Sequence, residues 1–302
     1  IRLAVLETGL GGRLDATTAA GARVLAITPV ALDHQEHLGP TLLDIAAEKA
    51  GAIRAGVTER VVVARQTPEA ERVILARCAE CDVEPRFATR DIRFEGACDG
   101  GRARVTLRTE RDLYDGVCLA LRGRHQAENA AAAVAVAEVL SERGYKISRE
   151  HVTRGLERAE HAGRLELIDG EPAVLLDGAH NEEGALALAA YLAELGRAPV
   201  TLVFGAMRDK DVGAILRALV PSAARLILTR PVNPRSAAPE ELIYATPPRH
   251  DLSTIALAPR VADALTLART LTPPRGLVCV TGSLYLVGEA KAAIDAAGAR
   301  GA

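Results

Sequence analysis

Between residues 173 and 297 short apolar runs alternate with helical segments, and this alternation constrains the fold more than any other feature of the chain. Ala173–Leu176, Val200–Phe204, Arg225–Thr229, Thr254–Leu257 and Leu277–Thr281 read as strands. Helical segments follow at 182–194, 211–219, 239–245, 260–270 and 285–297. Continuous apolar strands separated by helices predict a doubly wound parallel sheet, with ligands at the carboxyl ends of its strands. The first half also alternates. Leu3–Glu7, Val24–Thr28 and Val61–Ala64 read as strands, and Leu42–Ala50 and Pro68–Ala79 as helices. Residues 83–121 read as short strands, with Gly100-Gly101 as a hairpin turn and alternation in Arg102–Arg108. His125–Leu140 is an Ala-rich helix ended by Gly144, and Ser148 caps a shorter one reaching about Ala159. Two domains are expected, 1–161 and 162–302.

Charge and cysteine content remove several classes. Thirty-seven basic residues against 39 acidic ones give −2, so no nucleic-acid footprint is expected. No run of 18 apolar residues occurs to cross a membrane. Five cysteines, an odd count, without a signal segment favour a reducing cytoplasm over a disulfide framework. Cys78 and Cys81 have metal-ligand spacing without a second pair, so they read as helix surface. His151, His161 and His250 read as solvated, and Pro231–Pro239 and Pro247-Pro248 as loops. Only four of the basic residues are lysines, Lys49, Lys146, Lys210 and Lys291, in a chain that otherwise uses arginine.

The chemistry-bearing segments lie at strand ends and helix starts. LETGLGGRLDAT (6–17) follows the first expected strand: glycines let a backbone approach a ligand, and Glu7 is either an exposed turn acid or a metal ligand. LDHQEHLG (32–39) follows the next; its histidines and acids are a polar surface cluster or ligands of a hard divalent cation. In EKAG (48–51), Lys49 shares a helical face with Leu42, Ile45 and Ala46, either snorkelling at the helix end or serving chemistry. RHQAEN (124–129) places Asn129 early on a helix, as a ligand contact or part of a cap. GRLE (163–166), LDGAHN (176–181), FGAMRDKD (204–211) and VTGSLYLVGE (280–289) complete the set; the last three are turns at one expected sheet edge, which predicts a binding cleft.

In this order the segments resemble the folylpolyglutamate synthase/dihydrofolate synthase family of the Mur ligase superfamily. The resemblance implies an α/β architecture with part of a P-loop-type central ATPase domain and a C-terminal Rossmann-like domain. It implies an ATP-dependent, Mg²⁺-using amide ligase that joins L-glutamate to dihydropteroate or to a reduced folate through an acyl phosphate. By the resemblance Glu7 and His34 are metal ligands, and Lys49 is a catalytic lysine that carries a carbamate. Asn129, Arg164 and Asp177 are ATP contacts, and Leu14, Asp15 and Ala16 belong to the pterin-side loop. His180, a catalytic candidate, and Ser283 lie on the glutamate or acyl-phosphate side, with Lys210 as a charge partner. A cytoplasmic monomer is expected. Thr18 and Glu182 replace the family's usual Asn and Pro. The family's phosphate loop, with its lysine and serine, does not occur in this sequence, so the resemblance implies roughly a hundred or more residues ahead of Ile1. The chain as given is then expected to be a poor catalyst, since the amides and lysine that hold the phosphates are missing. Competing readings are another amino-acid ligase of the superfamily, a non-catalytic remnant, and a dinucleotide-binding oxidoreductase. The last lacks its Gly-x-Gly-x-x-Gly fingerprint.

Overall fold

A computed structural model describes residues 3–98, 101–247 and 254–301, with side chains to residue 297. Gly100, Pro248 and His250, to which a turn, a loop and a solvated position were assigned above, lie outside the described residues. The chain divides into two compact units, residues 1–120 with 125–159, and residues 121–124 with 160–302.

The first unit holds a parallel sheet of β1 (Val24–Ile27), β2 (Arg60–Val63) and β3 (Pro85–Phe87), in that order. β2 is central, and its β-branched run is buried on both faces. Val61 and Val63 pack with Ile45 and Ala46 of α2 (Leu42–Ala50) and Ile74 of α3 (Pro68–Glu80). Val62 points to the other core, with α4 (His125–Glu142). Alanines on α4 allow close packing against that sheet and against an antiparallel meander of β4 (Asp91–Cys98), β5 (Arg102–Arg108) and β6 (Leu113–Cys118). The short α1 (Gln35–Leu38) precedes α2, and α5 (Arg149–Arg158) carries the expected Ser148 cap.

Several expectations need correction. Leu3–Glu7 is not a strand: it forms no ladder with any described strand, and Val5 is 90% exposed. An apolar run becomes a parallel strand only beside a partner whose amides and carbonyls it can pair with. Cys78 and Cys81 are buried rather than on a helix surface, because Cys78 faces the sheet and Cys81 closes the helix end against the Ile53 carbonyl. Cys98 and Cys118 are joined in a disulfide, which an odd cysteine count had disfavoured; the meander brings the two strand ends together, and parity carries no such information.

The second unit is a six-stranded sheet in the order β11-β10-β9-β12-β8-β7. Its parallel strands are β8 (Ala173–Leu176), β9 (Val200–Phe204), β10 (Arg225–Leu228), β11 (Ile255–Leu257) and β12 (Leu277–Thr281). β7 (Glu166–Ile168), not anticipated from the sequence, pairs antiparallel with β8 at the edge. Only three residues long and half-buried, it lacks the apolar run that marks the other strands. α6 (Glu182–Leu195), α7 (Val212–Leu219) and α8 (Pro239–Ala245) cover one face, and α9 (Val261–Leu271) and α10 (Leu284–Gly301) the other. Alternate residues of β9 serve the two cores, Leu202 and Phe204 on one side and Val203 on the other. No described helix is long and apolar enough to cross a membrane.

Candidate active site

Each unit gathers part of the expected chemistry. In the first, Thr8–Gly11, Asp33, His34 and Lys49 line a cavity of about 200 Å³ floored by Leu38 and Ile45. Lys49 stands in the last turn of α2, whose Thr41–Asp44 capping box fixes its start. His34 caps α1 in the left-handed region, φ 52°, uncommon for a residue with a side chain. Its amide donates to the Asp33 carboxylate at 2.8 Å, which holds that conformation. Glu7 is exposed one residue ahead of the cavity lining. Among the described residues no three His, Cys, Asp or Glu side chains are gathered to hold a metal. An imidazole with one or two carboxylates suits Mg²⁺, which keeps waters and takes the rest of its shell from nucleotide phosphates.

The glycine-rich segment is a folded loop. The Asp15 carboxylate accepts from the Gly9 and Leu10 amides through Oδ2, both at 3.0 Å, and from the Thr17 amide and hydroxyl through Oδ1, at 2.9 and 2.6 Å. The Thr17 hydroxyl foremost, then these amides, pulls its carboxyl down to about 2. Leu14 and Ala16 flank it on the surface, exposed. Gly12 packs so tightly on α2 that a Cβ there would stand 2.8 Å from the Lys49 carbonyl. Asn129, exposed on the first turns of α4, donates to Gln126 Oε1 at 3.0 Å.

In the second unit the turns after β8, β9 and β12 meet at one sheet edge, since these strands are neighbours. Asp177 is 7% exposed, and its carboxylate accepts from the Leu165 amide and the Ala179 amide, both at 2.9 Å. This ties the GRLE turn, with half-buried Arg164 and with Leu165 at φ 46°, to the LDGAHN turn. The Gly178 amide adds a bond to the Gly163 carbonyl at 2.8 Å. His180 Nδ1 lies 2.8 Å from the Gly178 carbonyl. A carbonyl only accepts, so Nδ1 is the donor in this contact. Asn181 caps α6, and buried Ser283 accepts from the Leu286 amide at the start of α10. Gly282, at φ 112°, approaches so closely that a Cβ would sit 2.6 Å from the Gly205 carbonyl. Lys210 is half-buried in the turn after β9. Two helix N-termini on one edge of a parallel sheet suit anionic ligands, and the Asp177 carboxylate, turned onto the Leu165 and Ala179 amides, orders the turns beside them.

Comparison with known proteins follows the same division. Residues 163–284 match the family described as Mur ligase, glutamate ligase domain, which sets the class of the second unit. A probable dihydrofolate synthetase of Schizosaccharomyces pombe is 30% identical over 96% of this chain and 70% of its own length. A probable bifunctional folylpolyglutamate synthase/dihydropteroate synthase of Haloferax volcanii is 36% identical over 96% of the chain and 34% of its own length. Among solved structures, a Mycobacterium tuberculosis folylpolyglutamate synthase complexed with ADP superposes with a TM-score of 0.88 at 31% identity, covering 97% of this chain and 68% of that one. A Yersinia pestis bifunctional enzyme complexed with AMPPNP and a manganese ion gives 0.77 at 28%, over 96% and 66%. The chain belongs to the folylpolyglutamate synthase/dihydrofolate synthase family of Mur-type ligases. It spans about a third of the length of the haloarchaeal relative and about two thirds of the others.

Neither the Arg13–Glu48 pair nor the Leu165 backbone stood out in the sequence. Arg13 and Glu48 sit inside conspicuous segments, but 35 residues apart, so nothing marked them as partners.

Proposed function

We propose that the chain contributes to an ATP-dependent ligase that joins L-glutamate to dihydropteroate or to the γ-carboxyl of a reduced folate. ATP phosphorylates the acceptor carboxylate, the glutamate amine attacks the acyl phosphate, and phosphate leaves. The observation that carries this reading is the buried Asp177 carboxylate tying two turns at the sheet edge of a unit that matches a glutamate ligase domain. Asn129, Arg164 and Asp177 serve as nucleotide contacts, with Asp177 also holding the turn on which Arg164 stands. Leu14, Asp15 and Ala16 form the pterin-side loop. His180, its Nδ1 proton committed to a carbonyl, and Ser283 act on the glutamate or acyl-phosphate side. Lys210 supplies charge to phosphate or glutamate.

Glu7 and His34 are the proposed Mg²⁺ ligands, and the ion would neutralise charge on the phosphates. Lys49 is proposed to carry a carbamate. Its neutral amine adds to CO₂, forming an N–C bond as one C=O pair moves to oxygen, and the displaced proton passes to solvent. The product is an anion where a cation stood, in the cavity that also holds His34. A cytoplasmic monomer is the proposed setting, in which the Cys98–Cys118 bond is open to reduction.

ADP release with Mg-ATP and L-glutamate, measured with dihydropteroate and separately with tetrahydrofolate, tests the reading. The assay is run on this chain and on an extended chain in which it is joined to the part of a full-length relative that it does not span. Release with both acceptors assigns both activities, and release with one assigns that one. Release with neither acceptor from the extended chain refutes the substrate assignment.

A further inference from the structure

The loop 9–17 and the end of α2 are interlocked through backbone, side chains and two glycines. The Arg13 amide donates to the Glu48 carbonyl at 2.9 Å. The Arg13 guanidinium forks onto the Glu48 carboxylate, Nη2 donating to Oε1 at 2.8 Å and Nε to Oε1 and Oε2 at 3.0 and 3.2 Å. On one side of this junction a Cβ on Gly12 would press on the carbonyls of Glu48 and Lys49, at 3.1 and 2.8 Å. On the other, a Cβ on Gly51 would stand 2.5 Å from Arg13 Cβ. Both glycines are therefore needed for the loop backbone to lie against the helix end.

The pair is poorly placed to be a stability device. The Arg13 side chain is 57% exposed and that of Glu48 25%, and ion pairs so open to water add little to folding free energy. Its geometry has a different consequence. Lys49 follows Glu48 directly, and Gly9–Gly11 precede Arg13 by two to four residues. Joining Arg13 to Glu48 sets the distance between that glycine backbone and the Lys49 amine across the cavity both line. A bidentate guanidinium–carboxylate contact fixes direction as well as distance.

We propose that Arg13 and Glu48 are positioning residues: a latch that holds the glycine-rich loop over Lys49 and so shapes the pocket in which its carbamate forms. The purpose assigned to the latch rests on the reading of Lys49 given above. The latch itself does not.

Two readouts on the chain separate these. Deuterium exchange reports the amides of Gly9–Gly11. With ¹³CO₂-equilibrated protein, the carbamate carbonyl resonance that Lys49→Ala abolishes reports the lysine. Arg13→Ala and Glu48→Gln should each speed exchange at Gly9–Gly11 about tenfold and lower the carbamate signal at least about threefold, with the thermal midpoint little changed. The reciprocal double variant, Arg13→Glu with Glu48→Arg, should recover much of both. Wild-type exchange and carbamate in the single variants would overturn the proposal. So would single-variant defects that the reciprocal exchange does not repair, since the pairing would then be irrelevant. Absence of any Lys49 carbamate signal in the wild type would refute the carbamate reading, and loop exchange in the variants would then decide the latch by itself.

Discussion

Replacing Asp177 by alanine should lower the stability of the second unit by about 3–5 kcal/mol. The carboxylate is buried and accepts from two backbone amides, each at 2.9 Å. Bonds from a charged acceptor contribute about 1.5–3 kcal/mol apiece, and alanine would leave both amides buried without that acceptor. Two such losses reach about 6 kcal/mol at most, and partial entry of water into the vacated space brings the figure to about 3–5. Leu165 would also lose the bond that holds its φ of 46°. With a urea slope of about 2 kcal/mol/M for a domain of this size, the midpoint should fall by about 2 M. Urea unfolding should be followed by deuterium exchange in peptides from β8 and β12, which isolates this unit from the other. Asp177→Asn should fall in between, because its oxygen can serve one amide while its NH₂ faces the other. A midpoint loss below about 0.5 M for the alanine variant would show that the carboxylate does not carry these bonds.

Gly282→Ala should destabilise the same unit and abolish ligand binding at its edge, since φ is 112° and the new Cβ would meet the Gly205 carbonyl and the Phe204 ring; thermal melting with and without Mg-ADP checks both effects. The Asp15 carboxyl, pulled down to about 2, contributes to loop order above its unfolded value and loses that contribution as pH falls through its folded value. Protection of Gly9 and Leu10 amides should thus persist at pH ~4 and disappear only near pH ~2, a dependence that Asp15→Asn removes. Loss complete by pH ~4 would contradict it. Alkylation of the unfolded, unreduced chain should label Cys78, Cys81 and Cys279 and spare Cys98 and Cys118 until a reductant is added. Closing that 20-residue span constrains the unfolded chain, so Cys98→Ser should cost about 3 kcal/mol in the first unit, measured by thermal unfolding.

Most of the second unit is legible in the sequence. Four of its five parallel strands, β8, β9, β10 and β12, are apolar runs buried on both faces, β11 is a partly exposed edge, and each of the five is followed by a helix, so period and composition agree with the tertiary outcome. The same holds for β2, α2 and α3, and for the three turns that share one edge. Residue types in the turns after strands marked His34, Asp177 and His180 as candidates, and a lysine on an apolar helical face marked Lys49, without any knowledge of contacts.

What the sequence alone decided was therefore the local conformations and the set of polar side chains offered at the strand ends. Partnership was decided only in three dimensions. Leu3–Glu7 has a strand's composition but meets no described strand with which to form a ladder, and it lies exposed. β7 has almost no strand signal, yet it pairs because β8 presents a free edge beside it. Cys98 meets Cys118 through the meander, and Arg13 meets Glu48 across 35 residues because two glycines let the backbones touch. Local preferences act over a few residues, whereas hydrogen-bond ladders, disulfides and ion pairs depend on which distant segment arrives, and that is set by packing of the whole unit.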